Sequence, residues 1–194
     1  MKNMPAENLR TKILDGAIAL FIDKGIDKVT TRELTEYVGI SRSHIYHYFR
    51  DWGSLRLEAV ERFMLADLEA FKDAIADFSP DAALNAFITS LPATHDADWL
   101  LYNSVWTQAQ HDRAYADLAI NNMNRWISLI ESIIAAGISQ GLYRQVNAAR
   151  TARIIGGAVN GYADILSVNP TEQGFLQAKD DLRYLVNQLV GLTE

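Results

Sequence analysis

Apolar residues recur at helical spacing through almost the whole of this 194-residue chain, and no segment sustains the alternation of a β-strand. In residues 6–24, for example, Leu9, Ile13 and Ala17 lie on one face of a helix, and Gly25 follows as a stop signal. This pattern predicts an all-α fold of about nine helices. We expect them at residues of about 6–24, 30–38, 41–49, 53–78, 81–91, 97–110, 112–140, 147–167 and 171–190.

The chain contains no cysteine and four histidines. Disulfides, thiolate nucleophiles, zinc sites with cysteine ligands and iron–sulfur clusters are therefore excluded. His44 and His47 are three residues apart but have no nearby carboxylate to complete a metal site. Neither His95 nor His111 has a recognisable nucleophile partner, and the sequence has no glycine-rich phosphate loop. We expect no metal, no cofactor and no enzymatic activity.

The net charge of −6 at first argues against a nucleic-acid partner, because phosphates attract Lys and Arg. The charge is unevenly distributed, however. Residues 1–62 contain 10 basic and 9 acidic side chains, whereas residues 63–194 contain 8 basic and 15 acidic ones. This asymmetry predicts different roles for the two parts of the chain.

The sequence carries no recognisable targeting segment. Its N-terminus is polar, and Asp15 and Asp23 interrupt the apolar stretch that follows. No apolar run approaches the ~20 residues that a membrane-spanning helix needs. We therefore expect a cytoplasmic protein without a membrane segment.

Two short helices joined by a glycine-containing turn are predicted between Thr30 and Phe49, which is the arrangement of a helix-turn-helix. An apolar wedge of Leu34, Val38, Ile40, Ile45 and Phe49 would hold the angle between them. The rest of the second helix is rich in long hydrogen-bonding side chains, as the reading of base edges and phosphates requires. These are Arg42, Ser43, His44, Tyr46, His47 and Tyr48.

The segments ILDGAIALFIDKGIDKVTTREL and VGISRSHIYHYF resemble the tetracycline-repressor (TetR) family of bacterial transcriptional regulators over residues 9–60. The resemblance implies a DNA-binding domain over residues 1–52 and a ligand-binding and dimerisation domain over residues 53–194. The C-terminal part of the chain looks most like the choline-sensing regulators of the betaine pathway. An all-α small-molecule-binding protein or enzyme without DNA binding is the alternative.

The resemblance also implies roles for individual side chains at a double-stranded DNA operator. Arg42, Ser43 and His44 would face bases, whereas Thr31 and Tyr48 would contact phosphates. The sequence has Trp52 where the family usually has a lysine, so Arg50 or Arg56 would have to supply that phosphate contact. The full set of predicted DNA-binding residues is Thr31, Arg32, Ser41, Arg42, Ser43, His44, Tyr46, His47, Tyr48 and Arg50.

The predicted sixth helix carries Trp99, Tyr102 and Trp106 on one face. Aromatic faces beside a carboxylate attract cations, so these residues predict a pocket for a small cationic or amphipathic aromatic effector. The same stripe is also compatible with an ordinary apolar core. On the eighth helix an Asn and an Asp lie one turn apart in an apolar segment, where a buried carboxylate would need a partner or ligand. The predicted ligand-binding residues are Trp99, Tyr102, Asn103, Trp106, Asn160 and Asp164.

Small residues on the eighth helix, among them Gly157 and Gly161, would let another helix approach closely. The resemblance implies that helices 8 and 9 pair with those of a second copy in a homodimer. A two-fold dimer would set two reading helices about one DNA turn apart, roughly 34–36 Å, on a near-palindromic operator. The function that the sequence favours is a repressor that its effector releases from DNA.

Overall fold

The computed structural model describes residues 6–91 and 97–191, which form nine α-helices and no strand. These are α1 (Ala6–Lys24), α2 (Thr31–Val38), α3 (Arg42–Tyr48), α4 (Trp52–Ala74), α5 (Pro80–Thr89), α6 (Ala97–Ala109), α7 (Arg113–Ser139), α8 (Ala148–Val168) and α9 (Glu172–Val190). The predicted all-α fold is confirmed. The side-chain hydroxyl or amide oxygen of Ser79, Asn147 and Thr171 caps the N-termini of α5, α8 and α9 respectively.

One predicted helix end is wrong. We expected α4 to continue to about Phe78, but it ends at Ala74. The backbone tightens beyond this point: the N–H of Phe78 donates to the carbonyl of Ile75 at 2.9 Å, three residues back rather than four. Ser79 then adopts the extended backbone of an N-cap for α5, so the chain has to leave the helix about a turn before the Ser-Pro pair.

The chain divides into two compact units, and the first consists of residues 1–67 and 97–120. It contains α1–α3, the first part of α4, α6 and the start of α7. A single apolar core lies inside it, in which Phe21, Leu34, Ile45 and Leu101 are almost fully buried. The helix-turn-helix and the aromatic residues of α6 therefore belong to one body.

The second unit consists of residues 68–96 and 121–194 and has its own apolar core. In it α8 and α9 pack against each other, and α5 packs against α9. Gly156 faces Ile130 and Ile127 of α7 at 3.7 and 3.8 Å from the position of a Cβ atom, which allows α7 and α8 to approach closely. The predicted functional boundary near residue 52 differs from this division and stays a prediction.

Within residues 6–91 and 97–191, no helix is both long and apolar enough to cross a membrane. The same part of the chain contains no group of three His, Cys, Asp or Glu side chains that could hold a metal ion.

Candidate nucleic-acid interface and ligand sites

The turn between α2 and α3 is determined by local sequence. Thr30 caps α2 by accepting from the N–H of Glu33, while the carboxylate of Glu33 accepts from the N–H of Thr30 at 2.8 Å. Donation from the Thr30 N–H, and then from the Thr30 hydroxyl and Lys24, holds the pKa of Glu33 at about 2, below its ordinary value. Gly39 then takes the left-handed backbone conformation, with φ of 75°, and redirects the chain into α3.

The predicted wedge holds the two helices together. Leu34, Val38, Ile45 and Phe49 are buried and Ile40 is partly buried against the same core, which confirms the prediction. Helix α1 supports the turn as well, because the Nζ of Lys12 donates to the backbone carbonyl of Val38 at 2.9 Å.

The outer side of α3 forms an exposed surface, which we call the reading surface. Its members are the exposed residues Arg42, Ser43, His44, Tyr46 and His47. Tyr48 is half-buried, and its ring meets that of His47 edge-on with centroids 5.1 Å apart. Of the other predicted DNA-binding residues, Arg32, Ser41 and Arg50 are exposed and Thr31 is half-buried.

Hydrogen bonds along α3 orient these side chains. The Oγ of Ser41 lies 2.6 Å from Nδ1 of His44 and 2.8 Å from the Oγ of Ser43. The guanidinium of Arg42 lies 5.7 Å from the ring centroid of Tyr46. Hydrogen bonds from Arg42 and Thr31 to its hydroxyl lower the pKa of Tyr46. The surface thus presents a cation and several donors in a fixed arrangement.

Trp52 occupies the position where the TetR family usually has a lysine. It is half-buried, and its ring packs edge-on against Phe21 with centroids 6.3 Å apart. Arg56 is committed elsewhere, because it donates to the hydroxyl of Tyr115 at 3.3 Å and pairs with Asp27 at 3.6 Å. Arg50 is also paired, because its Nε donates to Oδ2 of Asp51 at 2.8 Å, but its side chain is 86% exposed. Of the two arginines, Arg50 is the more exposed, since the side chain of Arg56 is only 20% exposed.

Tyr102 is the centre of a cluster of aromatic and acidic side chains in the first unit. It is 9% exposed, and its hydroxyl donates to Oδ2 of Asp67 at 2.7 Å. Its ring lies 5.5 Å from that of Phe63 and 5.8 Å from that of Trp99, measured between centroids. We call Phe63, Asp67, Trp99 and Tyr102 the aromatic–acidic cluster.

Trp99 and Tyr102 are predicted ligand-binding residues, whereas Phe63 and Asp67 are not among the residues predicted from the sequence. Phe63 and Asp67 are one turn apart on α4, a spacing that the sequence shows but that gives no reason to pair them with α6. Asn103 is half-buried, and Trp106 packs partly buried against the same core. Trp99 packs partly buried against this core as well, so the packing is compatible with both interpretations of the stripe and the ligand-binding role of Trp106 stays a prediction.

Asn160 and Asp164 belong to the second unit and are both exposed on α8. The surrounding sequence is apolar because α8 has an exposed apolar side as well as a buried one, not because the whole segment is buried. Water reaches both side chains, so the energetic reason for expecting a ligand beside Asp164 does not apply.

A second group of aromatic rings lies inside the second unit. Trp126 of α7 lies 5.3 Å from Phe71 of α4 and 6.0 Å from Phe87 of α5, and the two phenylalanine rings are 6.2 Å apart, measured between centroids. One turn before Trp126, the side chain of Asn122 is buried. We call these three rings the aromatic trio; none of them is among the predicted ligand-binding residues.

An apolar strip runs along the outside of α8 and α9. Ile165 is 61% exposed and Val168 is 86% exposed. A Cβ atom added at Gly157 or Gly161 would meet no other atom within 4 Å, so both glycines face outward. We call the set the α8–α9 strip, which comprises Ile154, Gly157, Gly161, Ile165, Val168, Leu176 and Tyr184.

An exposed, hydrogen-bonding second helix on a helix-turn-helix, within an all-α chain, defines the class of helix-turn-helix DNA-binding regulators. Residues 13–59 match the family described as bacterial regulatory proteins, tetR family, and residues 80–191 match the family described as BetI-type transcriptional repressor, C-terminal. The chain belongs to the TetR family, a family of DNA-binding transcriptional regulators rather than of enzymes. The predicted family is confirmed.

Individual relatives of the chain are also named as transcriptional repressors. The chain is 34% identical over 91 residues to the HTH-type transcriptional repressor Rv1474c of Mycobacterium tuberculosis, a match that covers 47% of this chain and 45% of that protein. It is 25% identical over 142 residues to the HTH-type transcriptional repressor KstR2 of Rhodococcus jostii, which covers 70% of this chain and 68% of that protein. The chain thus spans less than half the length of the first of these relatives.

The fold of a transcriptional regulator from Saccharomonospora viridis, solved in complex with choline, superposes with a TM-score of 0.80. The superposition covers 95% of this chain and 98% of that one at 19% sequence identity. At this identity the likeness establishes the fold alone.

Proposed function

We propose that this chain is a cytoplasmic, homodimeric repressor that binds a near-palindromic DNA operator through α3 and that a small cationic effector releases. The observation that carries the proposal is the reading surface, where Arg42, His44 and Tyr46 are exposed and held by hydrogen bonds on the second helix of a helix-turn-helix. Both relatives described above are named transcriptional repressors, which supports the direction of regulation.

The charges and donors of the reading surface suit DNA. Arg42 is long enough to reach a guanine edge with two donors, and the hydroxyl and imidazole groups beside it suit base edges or phosphates. Arg50, at the end of the surface, suits the phosphate contact for which Trp52 offers no charge. The acidic remainder of the chain repels phosphate, which favours approach through this surface alone.

The aromatic–acidic cluster is suited to a cation. Each aromatic face contributes about 0.5–2 kcal/mol of cation–π attraction when it is desolvated, and the carboxylate of Asp67 supplies a counter-charge. A quaternary ammonium compound such as choline has this chemistry. The choline complex of a protein with the same fold supports the choice of probe.

The cluster is connected to the reading surface within one unit. Helix α4 begins at Trp52, four residues after the end of α3, and carries Phe63 and Asp67 further along. An effector that moves α6 against α4 would therefore change the position of α3. A coupling free energy of about 1–3 kcal/mol would lower operator affinity roughly 5- to 150-fold.

The α8–α9 strip supports the homodimer. Exposed isoleucine and valine side chains are unfavourable in water, and the bare Gly157 and Gly161 offer close approach to another helix. A second copy of the same strip is the occupant that we propose. Sedimentation equilibrium should give a dimer for the wild type and a monomer for Ile165→Glu. Leu142→Glu, which alters a 43% exposed leucine outside the strip, should remain dimeric; a dimeric Ile165→Glu would contradict the interface.

DNA binding is tested by fluorescence anisotropy with duplex DNA from upstream of the gene, at about 50 and 200 mM salt. The wild type should bind, and its affinity should fall as salt rises. Arg42→Ala should cost about 1–3 kcal/mol of binding free energy. Arg113→Ala removes an arginine that is 87% exposed on α7 and should bind like the wild type. Binding that is absent or insensitive to salt would favour an all-α small-molecule-binding protein instead.

The cation is tested by calorimetric titration with choline and with 3,3-dimethylbutan-1-ol, its neutral analogue of the same shape. Choline should bind more tightly, and Asp67→Asn should remove that preference. Asp73→Asn, which changes another exposed acid of α4, is the matched control and should retain it. Equal or tighter binding of the neutral analogue to the wild type would overturn the cationic effector while leaving DNA binding intact.

A further inference from the structure

Ser41 occupies the N-cap position of α3 but does not cap that helix. Its backbone is extended, with φ of −82° and ψ of 157°, as an N-cap requires, yet its side chain accepts no hydrogen bond from the backbone of α3. Thr30, at the same position of α2, does accept such a bond, from the N–H of Glu33. A serine cap stabilises a helix, so the hydroxyl of Ser41 gives up that contribution for other partners.

The hydroxyl of Ser41 bonds instead to two side chains of α3. Its Oγ lies 2.6 Å from Nδ1 of His44 and 2.8 Å from Oγ of Ser43. All three residues are exposed, and a hydrogen bond between exposed side chains adds little to stability because water competes for both partners. The arrangement therefore serves the orientation of the His44 ring rather than the stability of the fold.

The distance between Ser41 and His44 indicates which of the two atoms donates. An O–H donor typically lies about 2.7–2.8 Å from an oxygen acceptor, whereas an N–H donor lies about 2.9–3.0 Å away. At 2.6 Å, the contact has the length expected when the hydroxyl donates to the imidazole nitrogen. Because Nδ1 is then the acceptor, the neutral ring carries its proton on Nε2.

Nε2 is the ring nitrogen of His44 that remains for a partner outside the chain. His44 is the third residue of α3, and in a helix-turn-helix the residues near the start of the second helix contact base edges in the major groove. Guanine presents acceptors on that edge, N7 and O6, whereas cytosine presents a donor. A ring that offers an N–H at Nε2 therefore suits guanine and disfavours cytosine.

We propose that His44 is a specificity-determining residue that selects a guanine in each half of the operator, and that Ser41 is its positioning residue. The hydroxyl of Ser41 donates to Nδ1 of His44, and Nε2–H of His44 donates to the major-groove edge of the guanine. This inference rests on the proposed function and deepens it, because it names a base that the operator contains and the side chains that read it.

The position of the proton on His44 is tested without DNA, on the full chain. Long-range proton–nitrogen correlation NMR at about pH 8.5, where histidine rings are neutral, shows which ring nitrogen carries the proton. The signal of His44 is assigned by its loss in His44→Gln. In the wild type Nε2 should be protonated and Nδ1 should not. A proton on Nδ1 would overturn the proposal.

Base selection tests the reading of guanine. From a pool of duplexes of random sequence, the wild type should enrich an operator with a guanine at the same position of both halves. Exchanging these G·C pairs for C·G pairs should lower wild-type affinity about tenfold, the effect of losing a hydrogen bond to the base. The exchange should have no effect on His44→Ala and about a threefold effect or less on Ser41→Ala.

Two variants serve as controls for the loss of the hydroxyl. Ser41→Thr keeps a hydroxyl at the same position and should discriminate between the two operators as the wild type does. Ser104→Ala removes an exposed hydroxyl of α6 that bonds to the carbonyl of Leu100, and it should also discriminate like the wild type. Full discrimination by Ser41→Ala, or none by Ser41→Thr, would overturn the positioning role of Ser41.

The selection distinguishes failure of this inference from failure of the proposed function. An operator without such a guanine, a cytosine at that position, or an undiminished effect of the exchange in His44→Ala would overturn the inference and leave DNA binding intact. Enrichment of no sequence, together with binding that is absent or insensitive to salt, would overturn both.

Urea unfolding separates positioning from folding. Thr30→Ala removes the cap of α2 in the same unit and should lower the unfolding midpoint. Ser41→Ala should leave the midpoint close to that of the wild type, because no cap bond is lost. A decrease as large as that of Thr30→Ala would mean that Ser41 caps α3 in solution and would overturn its positioning role.

Discussion

The two units treat their buried polar groups differently. In the first unit the hydroxyl of Tyr102 donates to Asp67, and that of Tyr115 accepts from Arg56. In the described residues of the second unit, Oδ1 of Asn122 and the hydroxyl of Tyr143 have no partner. Burial raises the pKa of Tyr143 to about 12, with a smaller contribution from Asp81. These buried groups therefore differ between the units in whether they have a hydrogen-bond partner within the described part of the chain.

The exposed surfaces of the two units also differ in their chemistry. The first unit exposes the cationic and hydrogen-bonding side chains of α3, whereas the second exposes the isoleucine and valine side chains of the α8–α9 strip. A charged polymer suits the first surface and an apolar partner suits the second.

The largest effect on the free energy of unfolding is expected for a substitution at Gly137, against which the ring of Tyr143 packs. A Cβ atom at Gly137 would overlap the ring of Tyr143, so Gly137→Ala should lower the free energy of unfolding by about 1–3 kcal/mol. Urea unfolding at a fixed protein concentration measures this. Gly53→Ala is the control, because its nearest neighbour outside its own helix is 3.4 Å away. If Gly137→Ala were as stable as the control, Tyr143 would move easily and its lack of a partner would mean little.

Tyr102→Phe should be the next largest change. It removes the hydrogen bond to Asp67 and should lower the free energy of unfolding by about 1 kcal/mol. Urea unfolding again serves as the measurement. An unchanged stability would place Tyr102 in the same category as Tyr143 and remove the contrast between the units.

Tyr143→Phe should change the free energy of unfolding in the opposite direction and by a smaller amount. It removes a buried hydroxyl without a partner, so the variant should be as stable as the wild type or up to about 1 kcal/mol more stable. A loss of stability equal to that of Tyr102→Phe would show that the hydroxyl of Tyr143 is satisfied in solution.

The smallest effect is expected at Glu33. Its folded-state pKa of about 2 lies below its ordinary value, because the backbone and side chain of Thr30, and then Lys24, donate to its carboxylate. Glu33 therefore stabilises the fold above a pH of about 4.5 and loses that contribution as pH falls towards 2. Acid titration of the unfolding free energy should show a shallower slope for Glu33→Gln than for the wild type in that range. Parallel slopes would contradict the role of the capping box.

Helix positions could largely be predicted from the sequence because their signals are local. Thr30, Asn147 and Thr171 each accept a hydrogen bond from a backbone N–H three residues ahead. The predicted end of α4 was wrong by a turn. Whether a helix continues or the cap of the next helix begins is decided by packing rather than by the local residues alone.

The candidate sites could be predicted only in part. The exposed face of α3 follows from helical spacing, but the bond between Tyr102 and Asp67 joins residues 35 positions apart, and no spacing rule identifies that partner. Asp164 lay in an apolar segment and is nevertheless exposed. An apolar segment in sequence does not distinguish a core from a surface that another copy could cover.

The position of Trp126 gives the second unit its own optical signal. Of the four tryptophans in the chain, Trp52, Trp99 and Trp106 belong to the first unit, so Trp126 is the single indole chromophore of the second. Replacing the other three by phenylalanine would leave tryptophan emission that originates from Trp126 alone. The wavelength and lifetime of this emission would then report changes around Trp126 in the second unit without any attached dye, because the first unit would contribute no tryptophan emission.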